Sequence, residues 1–148
     1  MRDGGFWRGK WNVSRRRSAL SVEESSNERS PNIYRIGRIA VYDVTGDHKY
    51  LYTAQVIFDN MNKAYNTAPC GGLWWDKPHT YVNAIANELY IDAAAHLAAR
   101  SGDASQDYLD KALTAWDWFQ KSGLINDEWL INDGLDNATC GNNGGTVW

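Results

Sequence analysis

Long apolar runs are missing from this sequence. No stretch approaches the roughly 20 consecutive apolar residues that a membrane-spanning helix requires. The N-terminal stretch MRDGGFWR also lacks the apolar core of a secretory signal. The sequence therefore predicts no transmembrane segment and no signal peptide in this chain.

The chain also lacks a large excess of charge of either sign, and it lacks residue patterns typical of metal ligands. The formal net charge is only −3 in 148 residues, which argues against nucleic acid or an anionic membrane as the main partner. No His or Cys spacing is typical of a metal site, and no glycine-rich loop is typical of phosphate binding. We predict neither a metal nor another cofactor.

Cysteine is limited to Cys70 and Cys140. The two could pair across a long loop or remain two free thiols, and their number alone leaves both readings open. Asn137-Ala138-Thr139, directly before Cys140, is a sequon for N-glycosylation of Asn137. The sequon favours a secreted protein, although sequons also occur by chance.

Tryptophan and tyrosine are abundant where phenylalanine is rare, with 8 Trp and 8 Tyr against 3 Phe. Their rings stack on a ligand while their polar atoms hydrogen-bond to it, so this excess indicates sugar binding. Helical cores also use tryptophan, so the composition by itself does not decide between the two uses.

Residues 1–32 differ from the rest of the chain. Arg15-Arg16-Arg17 precedes a polar run that extends through Ser30, with neither a helical nor a strand period. Such a segment has too little apolar surface to fold by burial. We predict that residues 1–32 are disordered and that the folded domain spans residues 33–148.

From residue 33 onward, apolar residues recur at helical spacing. Two stretches carry an amphipathic stripe, and two others are apolar nearly all round and are predicted to be buried. The amphipathic stretches are 47–65 and 106–121, and the buried ones are 33–44 and 80–99.

These helices form an internal repeat. A Gly-Asp turn and then Tyr-Leu-x-x-Ala follow each buried helix, first at Tyr50 and again at Tyr108. Repeated helical hairpins with a long loop after each outer helix predict an all-α fold, a partial α/α toroid, with a helical solenoid as the alternative.

The loop after the first outer helix, residues 66–80, contains paired tryptophans, and we call it the tryptophan loop. Gly71 and Gly72 allow a sharp turn that brings Trp74 and Trp75 to one rim, and Asp76 can accept hydrogen bonds from sugar hydroxyls. In the alternative interpretation, the tryptophan pair closes the end of the helical core.

Polar residues follow at the start of the next helix and in the last loop. Asn83 and Asn87 lie on one face of an apolar helix, so their amides need partners. They could meet each other and the backbone of the tryptophan loop, or they could face a polar cavity together with Glu88. Asn132 and Asp133, in a loop rich in Asn, Asp and Gly, complete the candidate sugar-binding set.

Four motifs in this order resemble fungal members of glycoside hydrolase family 76, the endo-α-1,6-mannanases and the related cell-wall mannosidases or transglycosidases: GGLWWD at 71–76, YVNAIANEL at 81–89, LINDGL at 130–135 and NNGG at 142–145. The resemblance extends from about Ile39 to Trp148. It implies an (α/α)6 barrel, of which this chain would supply roughly a third. It also implies mannan or a mannose-containing oligosaccharide as partner, at an extracellular site, the cell surface or the cell wall.

The chain departs from the family pattern at its start. The family has an adjacent Asp-Asp catalytic pair, and counting back from Tyr42-Asp43-Val44-Thr45 places that pair near Arg29 and Ser30, neither of which is acidic. A retaining glycosidase needs two carboxyl groups about 5 Å apart. We therefore expect an inactive fragment in which the segment from Met1 to about Arg38 is foreign to the family, with a mannan-binding remnant and a helical interaction scaffold as alternatives.

Two structural expectations follow from a partial toroid. Cys70 and Cys140 would lie on the same rim, so we expect a disulfide between them if the chain is secreted. The helix at 80–99 would lack neighbours, so we expect Ile85, Leu89 and Leu97 to leave an exposed apolar patch that promotes self-association.

Overall fold

The computed structural model describes residues 31–145, with side chains from residue 36 onward. It contains four α-helices: α1 (Pro31–Thr45), α2 (His48–Asn62), α3 (Ala84–Ala98) and α4 (Ser105–Lys121). A short 3-10 helix, Gly102–Ala104, precedes α4. The segment predicted to be disordered, apart from the residues that begin α1, lies outside the described range, as do Arg29 and Ser30.

Short turns join the helices of each hairpin. Gly46 and Gly102 both have positive φ, 66° and 54°, which glycine adopts without steric cost. Asp47 then caps α2, because its side chain accepts a hydrogen bond from Lys49 N. The two Gly-Asp turns predicted from the repeat are therefore the sharp bends between α1 and α2 and between α3 and α4.

The four helices pack as two hairpins side by side. α1 packs against α2, α3 against α4, and α1 also packs against α3. The core between them includes Leu51, Phe58, Tyr90, Leu97 and Tyr108, all 5% exposed or less. The described residues form no β-strand beyond isolated bridges, so the all-α prediction is confirmed.

Two predictions about the inner helices are wrong. α1 is not buried: among its apolar side chains Ile39 is 2% exposed, but Val41 and Val44 are 39% and 87% exposed. Of the apolar patch predicted on α3, Leu97 is fully buried, because it joins the same core cluster as Ile39 and Leu51. Ile85 and Leu89 are partly buried. None of the helices within residues 31–145 is both long and apolar enough to cross a membrane.

Two long loops, residues 63–83 and 122–145, form a layer at the end of the helices opposite the Gly-Asp turns. Isolated bridges join Asn83 to Gly134 and Leu135 to Asn142. Beneath them a second core cluster includes Val82, Phe119 and Leu124, each at most 1% exposed. We call this layer the rim, and it carries every sequence-predicted site residue except Asn87 and Glu88, which lie on the adjacent first turns of α3.

Candidate functional site

A disulfide bond joins the two rim loops. Cys70 and Cys140 are bonded, with their Cα atoms 5.2 Å apart and a sequence separation of 70. Cys140 has a φ of 57°, and its N–H donates to the carbonyl of Asp136 at 2.8 Å. The covalent bond and this turn hold the last loop against the tryptophan loop.

The side chains of Asn83 and Asn87 are buried and form hydrogen bonds with the main chain. Both are 2% exposed. Asn83 caps α3 by accepting from Ala86 N at 3.0 Å, and Asn87 binds both main-chain groups of Leu73, at 2.8 Å and 3.0 Å. Asn87 also donates to Asn83 O at 2.7 Å. Of the two alternatives drawn from the sequence, the geometry is the one in which the amides meet each other and the tryptophan loop.

Trp118 explains the two glycines of the tryptophan loop. Its indole Nε1 donates to Cys70 O at 3.1 Å, and the ring lies against Gly71 and Gly72. A Cβ at Gly72 would stand 2.3 Å from Trp118 Cη2, and Gly71 and Gly72 have φ of 74° and 70°. The loop can therefore take this path only with glycine at these positions.

The two tryptophans of the pair have different environments. Trp74 is half-buried, donates from Nε1 to Thr67 Oγ1 at 3.1 Å, and stacks on His79 with ring centroids 4.8 Å apart. Trp75 is 37% exposed, and its N–H donates to Tyr81 O at 2.9 Å. Trp74 therefore closes the end of the core, whereas Trp75 offers a ring to solvent.

Asp76 stabilises the turn that follows. Its carboxylate accepts from Thr80 N at 2.9 Å and from Thr80 Oγ1 at 2.8 Å. The bond from the Thr80 N–H is the largest cause that lowers the pKa of Asp76 below its ordinary value. This carboxylate is therefore held as an anion, suited to accepting hydrogen bonds and unsuited to donating a proton.

Tyr81 and Asp133 form a polar pair across the two loops. Burial, followed by the charge of Asp133 and a hydrogen bond to its carboxylate, raises the pKa of Tyr81, whereas a hydrogen bond with the Asn83 side chain acts in the opposite direction. The charge of Asp76 also raises the pKa of Tyr81, so the three side chains share one region of the rim. The ring of Tyr81 lies over Gly134, where a Cβ would stand 2.7 Å from Tyr81 Cε2.

Asn132, like the two α3 asparagines, is turned inward. It is 6% exposed. Its Nδ2 donates to Gly145 O at 2.9 Å, and its Oδ1 accepts from Asn142 at 2.9 Å and Asn126 at 3.2 Å. The amide of Asn132 therefore organises the last loop and offers no free group to a ligand.

Glu88 differs from two carboxylates of the rim loops. It is half-buried in α3, and burial alone raises its pKa. Asp136, in contrast, accepts from Ala138 N, Thr139 N and Thr139 Oγ1, which lowers its pKa, as the Thr80 bonds do for Asp76. Glu88 is therefore better suited than Asp76 or Asp136 to carrying a proton.

Asn137 is held by the rim. Its Nδ2, the atom that would carry a glycan, donates to Thr80 O at 2.7 Å. Its Oδ1 is buried without a hydrogen-bond partner among the described residues. Glycosylation of Asn137 stays a prediction, and it would have to precede closure of this contact.

The described residues bring no group of three His, Cys, Asp or Glu side chains together at metal-binding geometry. A depression of about 220 Å³ lies between Tyr65, Tyr90 and the first half of α4, and neither Trp75 nor Tyr81 lines it. Nothing in residues 31–145 therefore points to a bound ion, and the rim is the candidate site.

Sequence reasoning missed three aromatic residues in the rim or directly beneath it. Trp129, 85% exposed with a φ of 63°, stands at the tip of the last loop, where Asn126 Oδ1 accepts from Glu128 N and Leu130 N. Asn126 followed by Asp127 is a turn signal that could have located this tip. Tyr81 and Trp118 had no local signal, because their partners lie in distant segments of the chain.

Comparison with known proteins identifies relatives of this chain. The protein mannan endo-1,6-alpha-mannosidase DCW1 of Candida albicans is 33% identical over 102 residues, which are 63% of this chain and 22% of that protein. Mannan endo-1,6-alpha-mannosidase DFG5 of the same organism is 32% identical over 87 residues, 55% and 19% of the two chains. This chain thus spans about a fifth of the length of these curated relatives.

Solved structures share the fold. The Lin0763 protein from Listeria innocua superposes with a TM-score of 0.68 at 19% identity, over 89% of this chain and 38% of its own. The GH76A alpha-1,6-mannanase from Salegentibacter sp. HEL1_6 gives a TM-score of 0.67 at 19% identity, over 88% and 38%. The fold is therefore part of an (α/α)6 toroid, as predicted.

A family model settles the assignment that the motifs indicated. The model for glycosyl hydrolase family 76 matches residues 35–148, which include most of the first hairpin, all of the second and the whole rim. The chain belongs to glycosyl hydrolase family 76.

Proposed function

We propose that the rim of this chain binds α-1,6-linked mannan and that the chain itself does not cleave it. The observation that supports binding is the exposed Trp75 ring next to the Tyr81–Asp133 pair. The main chain of Trp75 is bonded to that of Tyr81 at 2.9 Å, so a stacking surface and a hydrogen-bonding pair lie side by side. An aromatic face beside fixed acceptors is the usual arrangement for a sugar ring.

The frame behind these side chains is rigid. The Cys70–Cys140 bond, the Asn87 amide and Trp118 fix the tryptophan loop from three sides. Preformed loops bind with a smaller loss of conformational entropy than loops that must order on binding. Of the predicted contact residues, we therefore retain Trp75, Asp76, Glu88 and Asp133 as ligand contacts, and add Tyr81 and Trp129.

The absence of cleavage is proposed from the state of the carboxylates. A retaining mechanism needs a nucleophile and a proton donor about 5 Å apart, and the donor needs a raised pKa. Glu88 satisfies the second requirement, but Asp76 and Asp136 are each held by their own turn. Arg29 and Ser30, at the expected positions of the family's pair, supply no carboxylate.

We also propose an extracellular or cell-wall location. The relatives are named as mannan endo-1,6-alpha-mannosidases, and the Cys70–Cys140 disulfide is a bond that persists in oxidising compartments. Those relatives take their names from mannan as the substrate, and we assign mannan to this chain as a ligand only.

Titration with α-1,6-mannan oligosaccharides, followed by calorimetry and tryptophan fluorescence, tests this proposal. We expect saturable binding that weakens by about tenfold in each of Trp75→Ala and Asp133→Asn, since each removes a contact of about 1–2 kcal/mol. Tyr52→Ala, which removes an exposed aromatic on α2, is the control and should bind like the parent chain. No binding by the folded parent chain, or equal loss in Tyr52→Ala, would refute the proposal.

A second function is favoured by a separate observation. α4 exposes apolar side chains on its outer surface, as an interaction scaffold would.

A further inference from the structure

The depression of about 220 Å³ lies between α2 and α4, the outer helices of the two hairpins. One wall is formed by Asn62 and Tyr65, at the end of α2, and the other by the first half of α4. The buried Tyr90 of α3 lies between the two walls. We call this feature the interhairpin depression. All of its lining side chains are described, so it results from the packing of these two hairpins against each other.

Stacked tyrosine rings form the aromatic part of the interhairpin depression. The rings of Tyr65 and Tyr90 are nearly parallel, with centroids 4.7 Å apart and an interplanar angle of 10°. Tyr90 also stacks on Phe58 of the core at 4.9 Å, and its hydroxyl donates to Asn62 Oδ1 at 2.5 Å. Tyr90 is 1% exposed, whereas Tyr65 is only partly buried. Tyr65 is therefore the ring that a ligand can contact, and Tyr90 ties it to the core.

The helix α4 supplies a polar wall. The residues of α4 that line the depression are three or four positions apart and share one face of the helix: Asp107, Asp110, Lys111 and Thr114. Asp110 accepts one hydrogen bond from Gln106 Nε2, at 2.8 Å, and a carboxylate can accept several more. Thr114 is exposed, and its hydroxyl can both donate and accept. The wall therefore offers donors and acceptors close to the Tyr65 ring.

The charges at this wall favour a neutral ligand. Lys111 forms an ion pair with Asp107 on its own helix. Burial raises the pKa of Asp59 on α2, and the charge of Lys111 opposes that shift, so Lys111 acts on acidic groups of both helices. An anion would be repelled by these carboxylates, and a cation would compete with Lys111 for them. A neutral ligand with hydroxyl groups has neither cost.

The volume of the depression limits the size of the ligand. Pockets for drug-sized molecules measure roughly 300–1,000 Å³, so a volume of about 220 Å³ suits a single ring. A sugar ring is neutral, packs its C–H groups on an aromatic face, and carries hydroxyl groups around its edge. It therefore matches the Tyr65 ring and the polar wall together.

We propose that the interhairpin depression is a second sugar-binding site, which takes one pyranose residue on Tyr65 and binds its hydroxyls through Asp110 and Thr114. The choice of mannose rests on the function proposed above for the surface around Trp75, whereas the argument for a sugar site rests on the depression alone. When one polymer occupies two sites of a chain, the second contact forms at a high effective concentration. The chain should therefore retain polymeric mannan more tightly than short oligosaccharides.

Nuclear magnetic resonance of the isotope-labelled chain, titrated with α-1,6-mannobiose, locates the sites. We expect saturable changes in the amide chemical shifts of Tyr65, Asp110 and Thr114, and separate changes at Trp75. Trp75→Ala should remove the changes around position 75 and keep those at the depression. Ethanolamine, a cationic probe, should leave the depression unchanged.

The outcomes of this titration separate the two proposals. Unchanged shifts at Tyr65, Asp110 and Thr114 at high sugar concentration would overturn the second site. Changes there that ethanolamine produces and the sugar does not would overturn it as well. Changes confined to those three residues would instead refute the function proposed at Trp75 and leave the second site standing.

Matched variants test the contribution to polymer binding, measured by calorimetry with α-1,6-mannan. Asp110→Ala and Thr114→Arg should each weaken binding by at least about tenfold, because the polymer is then held at one site only. Asp117→Ala is the control for the first, since Asp117 also accepts from one neighbouring side chain of α4. Leu113→Arg is the control for the second, since Leu113 is exposed on α4 and does not line the depression.

Both control variants should bind the polymer like the parent chain. Helical circular dichroism like that of the parent chain shows that each variant is folded. Equal loss in a variant and its control, or polymer binding that Thr114→Arg leaves unchanged, would overturn the proposal.

Discussion

Asn87 binds the main chain of Leu73 as a neighbouring strand would. Its Oδ1 accepts the Leu73 N–H at 2.8 Å, and its Nδ2 donates to the Leu73 carbonyl at 3.0 Å. A side chain on α3 thereby supplies both hydrogen bonds that a buried loop residue needs. This amide is therefore one of three restraints on the tryptophan loop, beside the Cys70–Cys140 bond and Trp118.

Asn87→Asp should destabilise the fold by about 3 kcal/mol, because two buried carbonyls lose their donor and a buried carboxyl replaces an amide. The measurement is chemical denaturation followed by circular dichroism. Asn60→Asp on the exposed side of α2 is the control, since Asn60 accepts from Lys63 Nζ and an aspartate can do the same. Equal stability of the two variants would show that the Asn87 contacts do not hold the loop.

Gly72 and Gly37 should respond in opposite directions to alanine. Gly72→Ala places a Cβ 2.3 Å from Trp118 Cη2 at a φ of +70°, and we expect a loss of about 3 kcal/mol. Gly37 lies in α1 with no atom within 4 Å of a Cβ, so Gly37→Ala should stabilise the chain by about 0.5–1 kcal/mol. Thermal melting of both variants measures these changes in stability. A Gly72→Ala chain as stable as the parent chain would contradict the described loop.

Removal of the disulfide should cost about 4 kcal/mol, since the bond closes a loop with a sequence separation of 70 and the cost arises mainly in the unfolded chain. The double variant Cys70→Ser/Cys140→Ser is compared with the parent chain in urea, with and without a reducing agent. The reducing agent should destabilise the parent chain to the level of the variant and leave the variant unchanged. A parent chain insensitive to reduction under unfolding conditions would argue against the bond.

The helices and turns were predictable because their signals are local. The stripe that contains Leu51 and Phe58 and the Gly46-Asp47 turn each lie within a short stretch of sequence. The partners of Asn87 were not decidable, because an amide on an apolar helix satisfies its hydrogen bonds equally well in a cavity or against a loop. Leu97 was misjudged for a related reason: its burial depends on α1, whose own packing the periodicity did not specify.

In the candidate site, too, local features were predictable from the sequence and contacts between distant segments were not. The motifs located the rim loops correctly but could not separate side chains that face solvent from those that build the frame. Trp74 and Trp75 are neighbours of the same type, yet only Trp75 is exposed, because the Trp74 indole donates to Thr67 and stacks on His79. Such a distinction depends on contacts between segments and has no signature within one motif.

The purified chain should release no sugar from α-1,6-mannan at any pH. The reason is that Asp76 and Asp136 are each held by their own turn, and that Arg29 and Ser30, where the family's catalytic pair is expected, are not acidic. The measurement is chromatography of the products after long incubation. Products that disappear in Glu88→Gln or Asp133→Asn would show that a catalytic pair exists within the rim.

The ion pair between α1 and the end of α3 should make the fold sensitive to acid. Arg100 donates from Nε to Asp43 Oδ1 at 2.6 Å and from Nη2 to Asp43 Oδ2 at 2.8 Å. The hydrogen bond from Arg100 is the largest cause that lowers the pKa of Asp43 below its ordinary value of 3.8. A group whose pKa is lower in the folded state contributes stability above its unfolded pKa and loses it as the pH falls through the folded value.

Asp43→Asn should therefore be less stable than the parent chain at pH 7, and the difference should shrink as the pH falls below 3.8 towards the folded-state pKa of Asp43. Thermal melting of both chains between pH 7 and pH 2 measures it. Asp117→Asn is the control, because Asp117 pairs with Lys121 at 2.7 Å within one exposed helix face and such pairs contribute little. The pair formed by Asp43 bridges two segments through two bonds, so its removal should lower the melting temperature at pH 7 more than removal of Asp117 does. A difference that stays constant down to pH 2 would mean that Asp43 acts through packing and not through its charge.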